Sequence, residues 1–398
     1  MHIGINGWFC SLPYTGIGQY TISLIKALSR LADNHLISVF IAPVDGIGNL
    51  PELPNVEYCT VDKKSRSNDV FDVLEFEFLL VKLASVREVD VLHTTYLSSS
   101  QLHGKDFKHV VTVHDLIPRV FKKYRGSYLR QFYLWHSERT VKNADLIITD
   151  SAHSQLDIDK YLGIGQAAVK VIPIAADEVF TNKTEENRFA EIKKKYSLPD
   201  DYIFYIGGFD YRKNVATLLE AFAKARRSGI KEKLVLAGKF SPSVKQLARG
   251  LVENIPQIVD ALRIDDFVTM AGMVPQEDLP YLYKMARLFV YPSLYEGFGL
   301  PPLEAMSCGT PVLASQSSSI PEIIDRDELL FDPCDAQRLA EKICWLLSDD
   351  TLRKSVVDWG LDRAKTFSWP DTARETLDLY QSLCGGSVPK KRIGGRTR

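Results

Sequence analysis

Short apolar runs rich in β-branched and aromatic residues alternate with stretches of helical period along nearly the whole chain. His2–Asn6, Ile37–Ala42, Val89–His93, His109–Val113, Asp145–Thr149 and Val169–Ile172 predict buried strands. Between them, Tyr20–Leu31, Val70–Val86, Tyr128–Lys142 and Ser151–Tyr161 predict helices. Strands that read as continuous apolar runs, each followed by a helix, predict a parallel sheet covered on both faces. The pattern then restarts with strands at Tyr202–Ile206, Lys233–Ala237, Phe267–Ala271, Leu288–Tyr291, Pro311–Ala314 and Leu329–Phe331. Helices are expected between them at Asn214–Ser228, Ser241–Ala261, Gln276–Met285, Pro302–Ser307 and Ala336–Leu347. The polar stretch from Asp177 to Asp200 marks the seam.

The expected fold class is therefore α/β, with two tandem doubly wound, Rossmann-like domains spanning 1–178 and 179–368. Such sheets bind ligands beyond the carboxyl ends of their strands, so two facing each other would make one interdomain cleft. Trp369–Leu383 has Thr376, Leu379 and Leu383 on one helical face, which predicts a helix over 369–384 crossing back to the first domain. The stretch 385–398 carries five Lys/Arg, no acid and several glycines, which predicts a disordered basic tail.

Composition narrows the function classes. With 49 Lys+Arg against 50 Asp+Glu in 398 residues, the net charge of −1 argues against a wholesale nucleic-acid binder, though not against a local basic patch. The six cysteines form no CxxC pair, which suits reduced thiols in a cytoplasmic protein. Met1–Asn6 reads as a strand, not a signal peptide, and no apolar run approaches the ~20 residues that cross a bilayer. The eight histidines show no metal-ligand spacing. Asp157 and Asp159 fall in an expected helix, where their carboxylates diverge.

Four segments carry candidate chemistry. In Ser293-Leu-Tyr-Glu296-Gly297-Phe298-Gly299-Leu300-Pro-Pro302-Leu-Glu304, a strand leads into a helix. Gly297 and Gly299 leave amides bare at the helix start, where the helix dipole favours a phosphate. Glu296 in the loop and Glu304 in the first helical turn are expected to face one pocket, as acceptors for a sugar or ribose diol. A capped helix start is the better explanation of Glu304 alone, but not of the pair around a Gly-x-Gly turn. In Tyr205-Ile-Gly207-Gly208-Phe-Asp210-Tyr-Arg212-Lys213-Asn214, the glycines admit a ligand to the backbone and the cations suit a diphosphate. In Thr112-Val-His114-Asp115-Leu-Ile-Pro118, His114 stands at a strand end, a place more often structural, and Asp115 either holds the imidazole or caps the turn. In Pro13-Tyr-Thr-Gly16-Ile-Gly18-Gln-Tyr20, the third glycine of a dinucleotide fingerprint is missing. Gly238 and the pair Met273 and Val274 follow later strands and are weaker candidates, since plain strand-to-helix loops look the same.

The first segment resembles the E-x7-E motif of retaining, nucleotide-sugar-dependent glycosyltransferases of the two-domain GT-B architecture, in family 4. The resemblance runs over residues 1–384 and extends to Gly207 through Asn214 and to His114. It implies that Glu296 contacts the donor sugar, Glu304 the nucleotide ribose, and the Phe298–Leu300 amides the β-phosphate. It further implies that Arg212 and Lys213 hold the diphosphate, that His114 lies near the anomeric carbon, and that Gly16 and Gly18 lie beside phosphates and acceptor. Gly238, Met273 and Val274 fall where the nucleobase is expected. Gly208 stands where some relatives carry Arg. No cofactor and no metal are implied, the nucleotide sugar being a co-substrate.

His-Asp-Leu-Ile-Pro looks most like mannosyltransferase-type members, so the expected reaction moves mannose from GDP-mannose to a glycan or lipid-linked acceptor hydroxyl in bacterial surface polysaccharide synthesis. UDP- and dTDP-sugar transferases of the same fold, a GT-B-shaped epimerase and a non-enzymatic nucleotide- or glycan-binding relative are the alternatives. Residues 119–143 carry seven Lys/Arg against one acid, interleaved with six aromatics. That composition suits peripheral contact with the cytoplasmic face of an inner membrane, although a core helix with aromatics turned inward has the same composition.

Overall fold

A computed structural model describes residues 1–31, 34–43, 50–62, 70–100, 106–240, 246–247 and 250–385. The expected basic tail lies outside the described residues from 386 on. Two all-parallel sheets are present. The first has seven strands: β1 His2–Asn6, β2 Leu36–Ile41, β3 Val56–Thr60, β4 Val91–Thr94, β5 Lys108–Thr112, β6 Leu146–Thr149 and β7 Val169–Val171. Their order is β3-β2-β1-β4-β5-β6-β7. The second has six: β8 Tyr202–Ile206, β9 Lys233–Ala237, β10 Val268–Gly272, β11 Leu288–Tyr291, β12 Val312–Ser315 and β13 Leu330–Phe331. Their order is β10-β9-β8-β11-β12-β13. Both orders reverse beside the first strand, at β1/β4 and at β8/β11, and such reversals open a crevice at the strands' carboxyl ends.

By packing, the chain forms two compact units. One comprises Met1–Thr112, Phe132–Ile148 and the segment from Pro370 on; the other comprises Val113–Gln131 and Thr149–Trp369. The first buries Trp8, Phe40, Phe76, Leu80 and Leu92 in one cluster. Its helix Trp369–Cys384 buries Tyr380, whose hydroxyl meets Nδ1 of His93 at 2.5 Å. The second centres on Phe204, Tyr283 and Phe289, with ring centroids 5.3–6.0 Å apart.

Several elements depart from the sequence expectation. β3 is an additional edge strand whose residues are mostly half-exposed, so it shows no buried run. The helix expected across Ser241–Ala261 is interrupted: Val252 bridges antiparallel to Asp210, and the helix spans Ile255–Leu262 with a proline in its first turn. Residues 241–245, 248 and 249 lie outside the described ones. A further helix, Asp350–Ala364, is capped by Asp349, which accepts from the Thr351 and Leu352 amides. On the helix Tyr128–Lys142, Tyr128, Phe132 and Trp135 face outward, while Tyr133 turns in.

Tyr133 ends on a buried carboxylate. Glu77 accepts from the hydroxyls of Tyr133 (2.9 Å), Tyr96 (3.1 Å) and Ser99, and from the Ser99 amide (3.0 Å). Tyr96 in turn accepts from Asn6 at the end of β1. One acid thus satisfies donors from the helix Tyr128–Lys142 and from the segment after β4. Glu77→Ala strands all of them, so it is expected to cost about 3 kcal/mol. A melting temperature several degrees below wild type checks this, with Glu77→Gln intermediate.

Candidate active site

The β8/β11 reversal places two loops side by side. At its edge, Gly207 donates its amide to Ala237, and Gly238 donates to Gly272, so the ends of β8, β9 and β10 are laced together. A Cβ at Gly238 would lie 2.0 Å from the Gly207 carbonyl oxygen, and its φ of +138° is open only to glycine. After Gly208 the chain makes a short 3₁₀ turn, Tyr211–Lys213, which ends on Asn214 in the left-handed region (φ 56°). The Asn214 amide donates to the carbonyls of Pro292 (3.0 Å) and Pro333 (2.7 Å), fixing this turn against the loop after β11.

The two cations of the turn meet one acid from that loop. Arg212 Nη1 lies 2.6 Å from Glu296 Oε2, and Lys213 Nζ lies 2.8 Å from Oε1. The Tyr291 hydroxyl donates to the same Oε1 at 2.8 Å, and Arg212 also donates to the Tyr295 carbonyl. Burial alone would raise the Glu296 pKa; Lys213 and Arg212 outweigh it and hold it down to about 2. Glu296 is therefore an anion and only an acceptor at any ordinary pH.

A run of serines after β12 braces the loop. Ser315 and Ser317 donate to the carbonyls of Ser293 and Leu294, and the single Ser319 hydroxyl is shared between those of Glu296 (3.0 Å) and Phe298 (2.6 Å). Ser318 accepts the Glu296 amide at 2.8 Å. The expected exposed Gly-x-Gly turn is buried instead, because this bracing and the close approach of Gly297 to His114 enclose it. Among the described residues, the amides of Gly297, Phe298, Gly299 and Leu300 have no partner, at the start of the helix Leu300–Ser307.

His114 joins the same region. A Cβ on Gly297 would sit 2.4 Å from the His114 carbonyl oxygen, so only glycine permits that approach. Ser151 Oγ donates to the Gly297 carbonyl, and Ser154 Oγ is shared between that carbonyl and the one of His114. Of the two roles open to Asp115, the structure shows the turn cap, with Oδ1 accepting the Ile117 amide. The imidazole is held instead by Asp150, whose Oδ2 lies 2.5 Å from Nδ1. A carboxylate only accepts, so Nδ1 carries the proton of this bond. Asp150 is 36 residues from His114, at the end of the neighbouring strand, and only the β5–β6 pairing reveals it.

Glu304 stands apart from the ion cluster. It lies in the second turn of Leu300–Ser307, not the first, because that helix begins at Leu300. Its carboxylate accepts from the Tyr283 hydroxyl at 2.8 Å, and Lys213 acts on it only through space. Burial, with the Asp177 charge acting in the same direction, outweighs both and pushes its pKa up to about 7. Met273 is exposed and Val274 half-exposed beyond β10. Gly16 and Gly18 open the helix Gly16–Leu31 of the other unit, where a Cβ on Gly18 would strike the Leu12 carbonyl and one on Gly16 would meet nothing. Asp157 accepts from Tyr295 and Asp159 from Gln166, so the two acids diverge. Among the described residues, no group of three His, Cys, Asp or Glu could hold a metal ion.

This chain belongs to the glycosyltransferase family 4 group. The family model described as glycosyl transferases group 1 matches residues 187–360, and the one for glycosyltransferase family 4 matches 14–179. It is 30% identical over 390 residues to the O-antigen chain mannosyltransferase B of Escherichia coli, covering 93% of this chain and 97% of that one. It is 27% identical to the serotype-specific mannosyltransferase WbdA of the same organism, of which it spans 49%. Its fold matches that of sucrose-phosphate synthase from Thermosynechococcus elongatus with a TM-score of 0.78 at 23% identity, over 97% of this chain and 100% of that one. WaaG, a glycosyltransferase involved in lipopolysaccharide biosynthesis, matches with a TM-score of 0.69 at 16% identity, over 96% and 99%. The GT-B fold and glycosyltransferase activity follow.

The Glu304 shift carries a signed prediction. A carboxyl whose folded pKa lies above its ordinary value favours the protonated native state, so stability falls as pH rises from about 4.5 to about 7. Glu304→Gln is expected to flatten that part of the slope, by up to about 3 kcal/mol across the window. Denaturation midpoints at pH 5 and pH 8, wild type against variant, measure it.

Proposed function

We propose that this chain transfers mannose from GDP-mannose to a hydroxyl of a growing, lipid-linked surface glycan, retaining the anomeric configuration. The observation that carries the reading is the meeting of Arg212, Lys213 and Glu296 beside the bare amides of Gly297–Leu300. The relatives named as mannosyltransferases, one of them for an O-antigen chain, support the sugar and the acceptor class.

In this reading the diphosphate lies across Arg212, Lys213 and the helix-start amides, which concentrate positive charge where the leaving group gains negative charge. The bond between C1 and the β-phosphate oxygen breaks through an oxocarbenium-like state. The acceptor oxygen bonds to C1 on the same face, and its proton passes to the departing phosphate oxygen. Glu296, held ionised, accepts hydroxyls of the sugar and fixes its orientation. His114 shapes the pocket around C1, with Asp150 holding the ring. Glu304 reads the ribose diol. The cations and amides supply the charge stabilisation, so the scheme includes no resident metal.

Glu296→Ala and Lys213→Ala are expected to lower kcat/KM at least about 100-fold, and Glu296→Ala also to melt several degrees below wild type, because it leaves two buried cations without their acid. A thermal-shift screen of GDP, UDP, dTDP and ADP sugars is expected to single out GDP-mannose. Transfer by both variants at wild-type rate overturns the site; release of an epimerised sugar from donor alone, without acceptor, replaces transfer with epimerisation.

We further propose that the enzyme sits peripherally on an anionic membrane, where a lipid-linked acceptor would be found. Among the described residues no helix is long and apolar enough to cross a membrane. On the helix Tyr128–Lys142, Tyr128 (91% exposed), Phe132 (56%) and Trp135 (47%) share one stripe that continues into Arg139 and Lys142. Rings beside cations suit a headgroup layer bearing negative charge. Co-sedimentation with vesicles containing phosphatidylglycerol is expected, and Phe132→Ser with Trp135→Ser is expected to reduce it several-fold.

A further inference from the structure

We infer that Tyr124 is a positioning residue for Arg212, so that a phenol from the segment Val113–Gln131 sets the alignment of the diphosphate-binding guanidinium. This rests on the reading of Arg212 as a diphosphate ligand.

The Tyr124 hydroxyl makes two bonds at once. It donates to Asp210 Oδ1 at 2.6 Å and accepts the backbone amide of Arg212 at 3.1 Å. The same Asp210 oxygen lies 3.6 Å from Arg212 Nε. Asp210 and Glu296 thus approach the guanidinium from two directions, Asp210 at longer range and Glu296 at 2.6 Å. The phenol decides that difference: by occupying Asp210 Oδ1, it weakens the pull of Asp210 on the guanidinium. Its lone pair anchors the residue that carries it.

The ring is placed for this task. Phe121 packs edge-on against Tyr124, against Tyr211 and against Tyr295, with centroids 6.0, 6.4 and 6.1 Å away. Tyr211 precedes Arg212, and Tyr295 precedes Glu296, so one side chain gauges the spacing of both loops. Lys123 covers the Tyr211 ring and donates to the Gly250 carbonyl at 3.2 Å. Burial and the Asp210 charge push the Tyr124 phenol far above its ordinary pKa, so it stays a donor throughout the working range. Only a neutral hydroxyl can accept from the amide and donate to the carboxylate together; phenylalanine keeps the packing and loses both bonds.

Without the hydroxyl, Asp210 is free to close on Arg212 and draw it from the diphosphate. Tyr124→Phe is therefore expected to lower kcat and kcat/KM together, about tenfold, because the lost alignment matters as the leaving group gains charge. Adding Asp210→Asn removes the competing charge and is expected to restore at least half of the lost rate, with the melting temperature of each variant recorded. A merely structural tyrosine would give a lower melting temperature with no such recovery. Wild-type kinetics for Tyr124→Phe, or a loss that Asp210→Asn leaves unchanged, overturns the inference. Arg212→Ala is the separating control: normal transfer by that variant sinks the diphosphate reading itself, whereas an inactive Arg212→Ala beside an unaffected Tyr124→Phe sinks only the role of the phenol.

Discussion

Two cations can stay charged away from water only if something negative stands between them, and in the second unit Glu296 meets that requirement. Removing a charge from water costs several kcal/mol, and one carboxylate shared by a guanidinium and an ammonium offsets that cost only when both its oxygens are well bonded. Here Oε1 takes Lys213 and the Tyr291 hydroxyl, and Oε2 takes Arg212. The surrounding architecture follows from keeping these three groups in register. Asn214 ties the cation turn to the loop that bears the acid, and four serines hold that loop by its carbonyls and its amide. In the proposed reaction a diphosphate competes for the same cations with the same chemistry. The arrangement that satisfies Glu296 therefore also presents the cations, already oriented, to an anionic ligand.

Backbone polarity explains the rest of the loop. Carbonyls of Ser293, Leu294, Glu296, Gly297 and Phe298 all receive a serine hydroxyl. The amides of Gly297 to Leu300 receive nothing among the described residues. A buried loop whose acceptors are matched and whose donors are not has a net positive face, and the helix dipole of Leu300–Ser307 adds to it. Pro301 and Pro302 contribute no N–H, which confines the bare donors to the four residues nearest the acid.

Much of this was legible because the chemistry-bearing residues are local. Arg212 with Lys213, and Glu296 with Gly297 and Gly299, each lie within one loop directly after a strand, and strand runs such as Tyr202–Ile206 and Leu288–Tyr291 are apolar from end to end. What escaped the sequence depends on contacts between distant segments. Asp150 was hidden because Asp115 is adjacent to His114 and chemically equivalent, and only the strand pairing shows which acid reaches the ring. Tyr124 carries no charge and sits in a run of cations whose composition points to a charged surface and not to a phenol in a hydrogen-bond network. The serines of 315–319 read as an ordinary loop. β3 escaped because an edge strand with half-exposed residues lacks the buried run that marks its neighbours, and the break before Ile255 escaped because its cause is a bridge to Asp210, 42 residues away.

The two glutamates show how little residue type alone determines. Both are buried, yet Glu296 is held ionised down to about pH 2, while Glu304 protonates near pH 7. The difference lies in their neighbours: two cations in contact for the first, and for the second one phenol in contact, with an acid, Asp177, and a cation acting only through space. In the proposed reaction this divides their work. Glu296 can accept hydroxyl protons but has none to give, so it orients the sugar without taking part in proton transfer. Glu304 can donate as well as accept near neutral pH, so a ribose diol bound there meets a group whose proton responds to the ligand. Nucleotide recognition is then coupled to pH at one end of the donor, and sugar orientation is insulated from it at the other.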